Sequence, residues 1–198
     1  MSNISYFPQK DPDAVLMLAY AKGDMAAFEQ LYGQYKDPLF RFFLRQCGNQ
    51  ALAEELSQDV WVRVINARER YAAKARFSTW LYRIAHNILV DYYRKPVEEA
   101  LPDDEHAAPS MTNEDPEYKV SSQEKLNRYR TMLRALPDEQ REVFLMKQEG
   151  GLGLNEISEI TGENTEALKS RLRYAVAKLK RALMESEDNE QEQQTYNQ

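Results

Sequence analysis

The side chains best suited to chemistry in this 198-residue chain recur at helical spacing. In Phe77–Lys95, FSTWLYRIAHNILVDYYRK, the residues Arg83, Asn87, Asp91 and Arg94 follow one another at steps of four or three, flanked by His86, Tyr93 and Lys95. Asn and Arg make paired hydrogen bonds to base edges, and aromatic rings stack on an unpaired base. Further on, Lys169, Ser170, Arg171, Arg173 and Tyr174 share a polar face, with Lys178, Lys180 and Arg181 beyond. Residues 165–183 hold six bases and a single acid, Glu166. A major groove accepts such a helix by its N-terminal turns, while later Lys and Arg reach phosphates. Other chemistries lack their residues: the sequence shows no nucleophile–base set, phosphate loop or metal cluster. Glu54 and Glu55 are adjacent acids on a solvated helix, without the pocket that paired catalytic carboxylates need. Cys47 is the only cysteine and reads as a small core residue; with His86 and His106 alone beside it, a structural zinc site is not expected. The chain is therefore expected to be no enzyme and to use no cofactor, metal or small-molecule substrate.

The elements that must position these residues are all helical. Opposite Asn87, the residues Trp80, Leu81, Ile84, Ala85, Ile88, Leu89 and Tyr92 form an apolar stripe, with Trp80 and Tyr92 read as core and Phe77 as core or DNA wedge. Ser78 or Thr79 can cap this helix, and Pro96 lies just past its end. Before it, Asp24 caps a helix carrying Ala27, Phe28, Leu31, Tyr32 and Tyr35, Pro38 starts another with Leu39, Phe40, Phe43 and Leu44, and Gly48-Asn49 stops it. Leu52, Leu56, Val60 and Val64 define a third helix, with Trp61 and Ile65 beside them. Residues 12–96 thus read as a compact helical bundle. Residues 120–183 read as a second helical domain: a helix through Leu126, Tyr129 and Leu133, the Leu136-Pro137-Asp138 break, a helix with Val143, Phe144 and Met146, and then Gly150, Gly151 and Gly153. A short helix over Asn155–Thr161, a turn at Gly162 and a longer helix capped by Asn164 or Thr165 complete a helix-turn-helix pattern.

Charge separates the remaining segments. The net charge is −6, yet residues 97–117 hold eight acids and no Lys or Arg, and residues 185–198 hold five acids and no base. Setting those thirteen aside leaves 26 bases against 19 acids, a net of +7 for the rest. Residues 97–119 therefore read as an acidic flexible linker and 184–198 as an acidic disordered tail, which either only solubilises the chain or competes with DNA for the final basic helix. The longest apolar run, Val15–Ala21, is far below the ~20 residues of a membrane span, and the N-terminus lacks a signal-peptide pattern, so no direct membrane insertion and a cytoplasmic location are expected.

In their order and spacing, AFEQLYGQY (Ala27–Tyr35), AEELSQDVWVRV (Ala53–Val64), FSTWLYRIAHNILVDYYRK and LPDEQREVFLMKQEGGLGLNEIS (Leu136–Ser158) with the helix after it resemble the sigma-70 family of bacterial RNA polymerase sigma factors. The resemblance is to the extracytoplasmic-function group, which keeps only the second and fourth sigma domains. It implies an all-α, two-domain promoter-recognition subunit that binds core RNA polymerase and promoter DNA and pairs with an anti-sigma factor. It also implies residue roles. Gln58 and Asp59 fall on the family's Gln-acid pair, with Val60, Trp61 and Arg63 on the adjoining polymerase face; the alternative is a core Trp61 beside solvated Gln58 and Asp59. Asn87 falls where the family holds a flipped minus-10 base, with Phe77, Arg83, Arg94 and Lys95 as further minus-10 contacts, and His86 takes no assigned role. Thr165, Glu166, Lys169, Ser170, Arg171, Arg173 and Tyr174 occupy minus-35 recognition positions. Here the sequence departs from the family: Glu166-Ala167-Leu168 stands before Lys169-Ser170-Arg171, where a small-Thr-Val opening is common. The rival functions are a regulator that binds DNA without polymerase and a helical adaptor whose basic faces only solubilise it.

Overall fold

The structure, a computed structural model, describes residues 11–94 and 127–196, with side chains as far as Met184. The 97–119 linker, Lys95 and Pro96, and the tail side chains beyond Met184 lie outside the described residues. Within them the chain forms eight α-helices and no strand.

The N-terminal domain is α1 (Pro12–Ala21), α2 (Met25–Cys47), α3 (Gln50–Ala67) and α4 (Phe77–Arg94), with a 3-10 turn at Arg68–Arg70. Asp24 caps α2 at the Ala27 N–H (3.2 Å), and Asn49 caps α3 at the Leu52 N–H (2.9 Å). Gly48 ends α2 in the left-handed region at φ +76°, as helix termini favour. The helix start expected at Pro38 does not occur: Pro38 lies inside a single 23-residue helix. A proline in a helix interior costs ~3 kcal/mol. The buried stripe of Leu31, Tyr35, Leu39, Phe42 and Phe43 runs across it without a change of phase. Each such side chain contributes about 1.5–3 kcal/mol on burial, so packing outweighs the break.

The α4 start also differs from the sequence reading. Ser78 and Thr79 are buried within its first turn rather than capping it. The Phe77 N–H instead donates to the Asp11 carboxylate at 2.7 Å, from 66 positions away. Asp11 also accepts from the Asp13 N–H at the start of α1, so one buried carboxylate serves two helix N-termini. Replacing a capping acid costs about 1 kcal/mol. Asp11→Ala is accordingly expected to lower the thermal midpoint by ~2–4 °C, measured by circular dichroism.

The C-terminal domain is α5 (127–134), α6 (Asp138–Gln148), α7 (Leu154–Thr161) and α8 (Thr165–Tyr196). The Glu156 carboxylate accepts from the Gly153 N–H at 2.8 Å and closes the start of α7. Gly162, at φ +77°, turns the chain, and Asn164 rather than Thr165 caps α8 by accepting from the Ala167 N–H at 2.8 Å. The α8 backbone stays helical to Tyr196, through the segment composition reads as a disordered tail. Glu and Gln, frequent there, are good helix formers and extend a helix already nucleated upstream.

The two domains pack against each other. α7 lies on α4 and α6 on α2, and one buried apolar cluster runs through both domains. Tyr82 of α4 is fully buried, and a Cβ at Gly150 would come within 3.1 Å of its ring. The same Cβ would lie 2.7 Å from the Met146 carbonyl oxygen, so a side chain has no room at Gly150.

Candidate nucleic-acid and polymerase faces

On α4 the helical period separates two faces. Leu81, Tyr82, Ala85, Ile88 and Leu89 are buried, while Arg83, Asn87, Asp91 and Arg94 are exposed. Phe77 belongs wholly to the core: its ring meets Tyr35 edge-on at 5.2 Å and lies 5.8 Å from Trp80. As the first residue of α4, with its N–H held by Asp11, it directs its ring inward, so the wedge reading fails in this structure. Tyr92, read as core, is 39% exposed and stands 5.6 Å from the exposed Tyr93 ring. Both rings lie in the last turn of α4, which ends at Arg94. The Tyr92–Tyr93 pair places two aromatic rings beside Arg94 and Asp91, a surface suited to stacking an unpaired base.

On α3 the exposed residues include Gln58, Asp59, Val62, Arg63 and Ile65. Val60 is fully buried and Trp61 is 7% exposed, so these two do not line the surface expected for polymerase. Trp61 meets Phe28 and Tyr32 edge-on at 5.9 and 5.0 Å. The heptad-like spacing Leu56, Val60, Val64 fixes the core side of α3, and Trp61 falls just beside that line, under the α2 aromatics. Arg63 reaches Asp91 of α4 at 3.5 Å, an exposed pair of small energetic weight.

On α8, Glu166, Lys169, Arg173 and Tyr174 are exposed, and Thr165, Ser170 and Arg171 half-buried. The Arg173 guanidinium lies 5.3 Å from the Tyr174 ring centre, and Lys169 stands 3.9 Å from Glu166. Arg171 is engaged within the domain, pairing with Glu139 of α6 at 2.6 Å and with Glu163 of the turn. Two carboxylates hold its guanidinium, so it fixes the angle of α8 on α6. Arg171→Ala is expected to lower the thermal midpoint by ~2–4 °C as well as weaken DNA binding, read by melting and by salt-dependent gel shift.

Several contacts at these faces carry no sequence signal. His86 is within 2.7 Å of Glu142 on α6, and the Arg83 guanidinium donates to the Glu159 carbonyl at 2.9 Å. Cys47 is shielded, and burial pushes its thiol up to about 12, which keeps it protonated and unreactive at neutral pH. Among the described residues, no group of His, Cys, Asp and Glu could hold a metal ion, and no helix is long and apolar enough to cross a membrane.

Two helical domains, one with a polar Asn-Arg helix and the other with a helix-turn-helix, define a bipartite reader of DNA. Residues 31–97 match sigma-70 region 2 and residues 126–179 match sigma-70 region 4. The chain is 32% identical over 171 residues to the ECF RNA polymerase sigma factor SigW of Bacillus subtilis (strain 168), covering 82% of this chain and 91% of that protein. It is 30% identical over 179 residues to the ECF RNA polymerase sigma factor SigK of Mycobacterium tuberculosis (strain ATCC 25177 / H37Ra), with 87% and 94% covered. The fold is similar to that of CnrH in its complex with the cytosolic domain of CnrY, at a TM-score of 0.65 and 22% identity, over 89% of this chain and 99% of that one. A sigma factor RpoE of Bartonella quintana, solved with the anti-sigma factor NepR, gives the same TM-score of 0.65 at 19% identity, over 79% of this chain and 96% of that one. The chain belongs to the sigma-70 family of RNA polymerase sigma factors, in its extracytoplasmic-function group. It is a promoter-recognition and transcription-initiation factor rather than an enzyme.

Proposed function

We propose that the three exposed faces divide the work of initiation. The α3 surface of Gln58, Asp59 and Arg63, with Val62 and Ile65, docks on core RNA polymerase. The exposed face of α4 reads the minus-10 element: Asn87 bonds a flipped base through an amide that both donates and accepts, the Tyr92–Tyr93 rings stack beside it, and Arg83 and Arg94 take phosphates. Lys95 follows Arg94 in sequence and extends this basic end. The N-terminal turns of α8 read the minus-35 element through Thr165, Glu166, Lys169, Ser170, Arg173 and Tyr174, with Arg171 positioning the helix. Glu166 suits a cytosine amino group, which only an acceptor can bond. Residues 12–96 and 120–183 act as the two reading domains, and 97–119 is the tether between them. The chain works in the cytoplasm, where polymerase and chromosome are, under an anti-sigma factor like those in the complexes of its structural relatives.

The observation that carries this reading is the pair of DNA-suited helical faces on separate domains of one chain. Promoter elements more than one turn apart, over ~34 Å, need a body that fixes their spacing, and polymerase supplies it. The test is in vitro transcription by core polymerase, with and without this chain, on fragments of its source genome. Selective initiation that needs the chain is expected. A chain that shifts promoter DNA alone and leaves initiation unchanged would be a lone DNA-binding regulator instead.

A further inference from the structure

The start of α4 is fixed from outside its own sequence. Arg76 immediately precedes the helix, and its carbonyl accepts from the Trp80 N–H at 3.1 Å. An arginine side chain has no acceptor with which to cap the first turn. The neighbouring hydroxyls are turned elsewhere: Thr79 Oγ1 donates to Glu156 at 2.7 Å, and Ser78 Oγ is buried without a hydrogen-bond partner. The first N–H of the helix, on Phe77, donates instead to Oδ2 of Asp11 at 2.7 Å, while Oδ1 of the same carboxylate accepts from the Asp13 N–H at 3.3 Å. Asp11 is 8% exposed, so little water competes for these bonds. The Phe77 ring is braced by Tyr35 at 5.2 Å, and the Tyr35 hydroxyl donates to Asp13. The beginning of α1 therefore holds both parts of one residue, its N–H directly and its ring through Tyr35. The match to sigma-70 region 2 starts at residue 31, twenty positions past Asp11, and gives this acid no part.

We propose that Asp11 is a positioning residue for promoter opening: it anchors the N-terminal end of α4 and so sets where Asn87 lies against the open strand. The proposal rests on the reading of Asn87 as a minus-10 base contact. The buried stripe of α4 is held by apolar packing, which is non-directional and leaves the axial position and tilt of a helix loosely defined. A shielded carboxylate on the first N–H is directional and fixes that end. Asn87 lies ten residues beyond Phe77, about 15 Å along a helix that rises 1.5 Å per residue. A pivot of about 10° at Phe77 moves the Asn87 amide by roughly 2.6 Å over that length. Hydrogen bonds tolerate only about 0.5 Å of spread in donor–acceptor distance. A small slackening at the anchor is thus enough to take Asn87 out of reach of its base, although the two residues never touch.

The test uses the full chain with core polymerase. Asp11→Ser keeps a side-chain cap for α1, since serine is a good N-cap, but is one bond shorter and gives up the Phe77 N–H. Asp24→Ala is the control, because it removes the α2 cap at Ala27, a comparable loss at a helix start outside α4. Both are assayed at a temperature well below their melting midpoints. Asp11→Ser is expected to slow open-complex formation about tenfold, followed by permanganate reactivity, with affinity for core polymerase unchanged. Asp24→Ala is expected to open promoters at the wild-type rate. Combined with Asn87→Ala, Asp11→Ser is expected to add no further defect, because both act through one contact. Asp11→Asn is read by the same criteria should the serine variant not fold, since its single acceptor oxygen leaves one of the two helix starts facing an NH2. Opening no slower with Asp11→Ser than with Asp24→Ala, or defects at Asp11 and Asn87 that multiply, would overturn the proposal. Failure of the underlying reading looks different: the unmodified chain then supports no selective initiation, or Asn87→Ala alone leaves opening unchanged.

Discussion

Asn87→Ala is expected to reduce open-complex formation by about 5- to 150-fold, the loss that accompanies ~1–3 kcal/mol of base-edge bonding. Asn87 is exposed on the face of α4 opposite its buried stripe, so its loss leaves no cavity and no orphaned core group. The thermal midpoint and the affinity for core polymerase are therefore expected to stay at wild-type values. Permanganate footprinting of the minus-10 region, beside a polymerase-binding titration, separates these terms. Flipping a base costs a few kcal/mol of stacking, which only contacts made to the open strand can offset. The bond proposed for Asn87 forms after that step, so the defect is expected in opening rather than in initial polymerase association. Undiminished opening by the variant would remove Asn87 from the base pocket.

Trp61→Ala is expected to have the largest effect on stability, about 3–5 kcal/mol for an aromatic removed from a packed site. Trp61 is 7% exposed and meets two α2 aromatic rings edge-on. For a chain of this size the loss corresponds to a fall in thermal midpoint on the order of 10 °C. At temperatures where the variant remains folded, its affinity for core polymerase should stay close to wild type. Asp59→Arg is expected to do the reverse: a wild-type midpoint, because Asp59 is exposed, with polymerase binding weakened more than about tenfold by a reversed charge in the contact. Should Trp61→Ala melt normally and lose polymerase instead, the ring would belong to the docking face.

The packing of the two domains gives His86, Arg41 and Arg45 a shared part that the family resemblance did not assign. It also bears on how mutations near α4 are read. A substitution at Arg83 removes the contact to the Glu159 carbonyl as well as the phosphate contact proposed for it. Glu149 bonds Arg41 and Arg45 of the other domain, which makes it a clean probe of domain docking.

Local pattern determined much of this protein. The period of α4 separated Asn87 from Ile88 and Leu89, and Gly162 with Asn164 placed the helix-turn-helix, because helix phase and turn chemistry are written within a few adjacent residues. The same logic failed where a distant partner decided the outcome. Pro38 reads as a boundary until the core stripe from Leu31 to Phe43 is seen to run through it. Phe77 and Trp61 read as either core or surface by pattern and motif, and packing makes both core. Arg171 reads as a base contact and is held by Glu139 and Glu163. The docking of the domains was least legible, since Arg41 and Glu149 are 108 positions apart and His86 and Glu142 are 56 apart. Such pairs leave no periodic trace, and their energy exists only once both helices have been brought to the same place by burial of the apolar cluster between them.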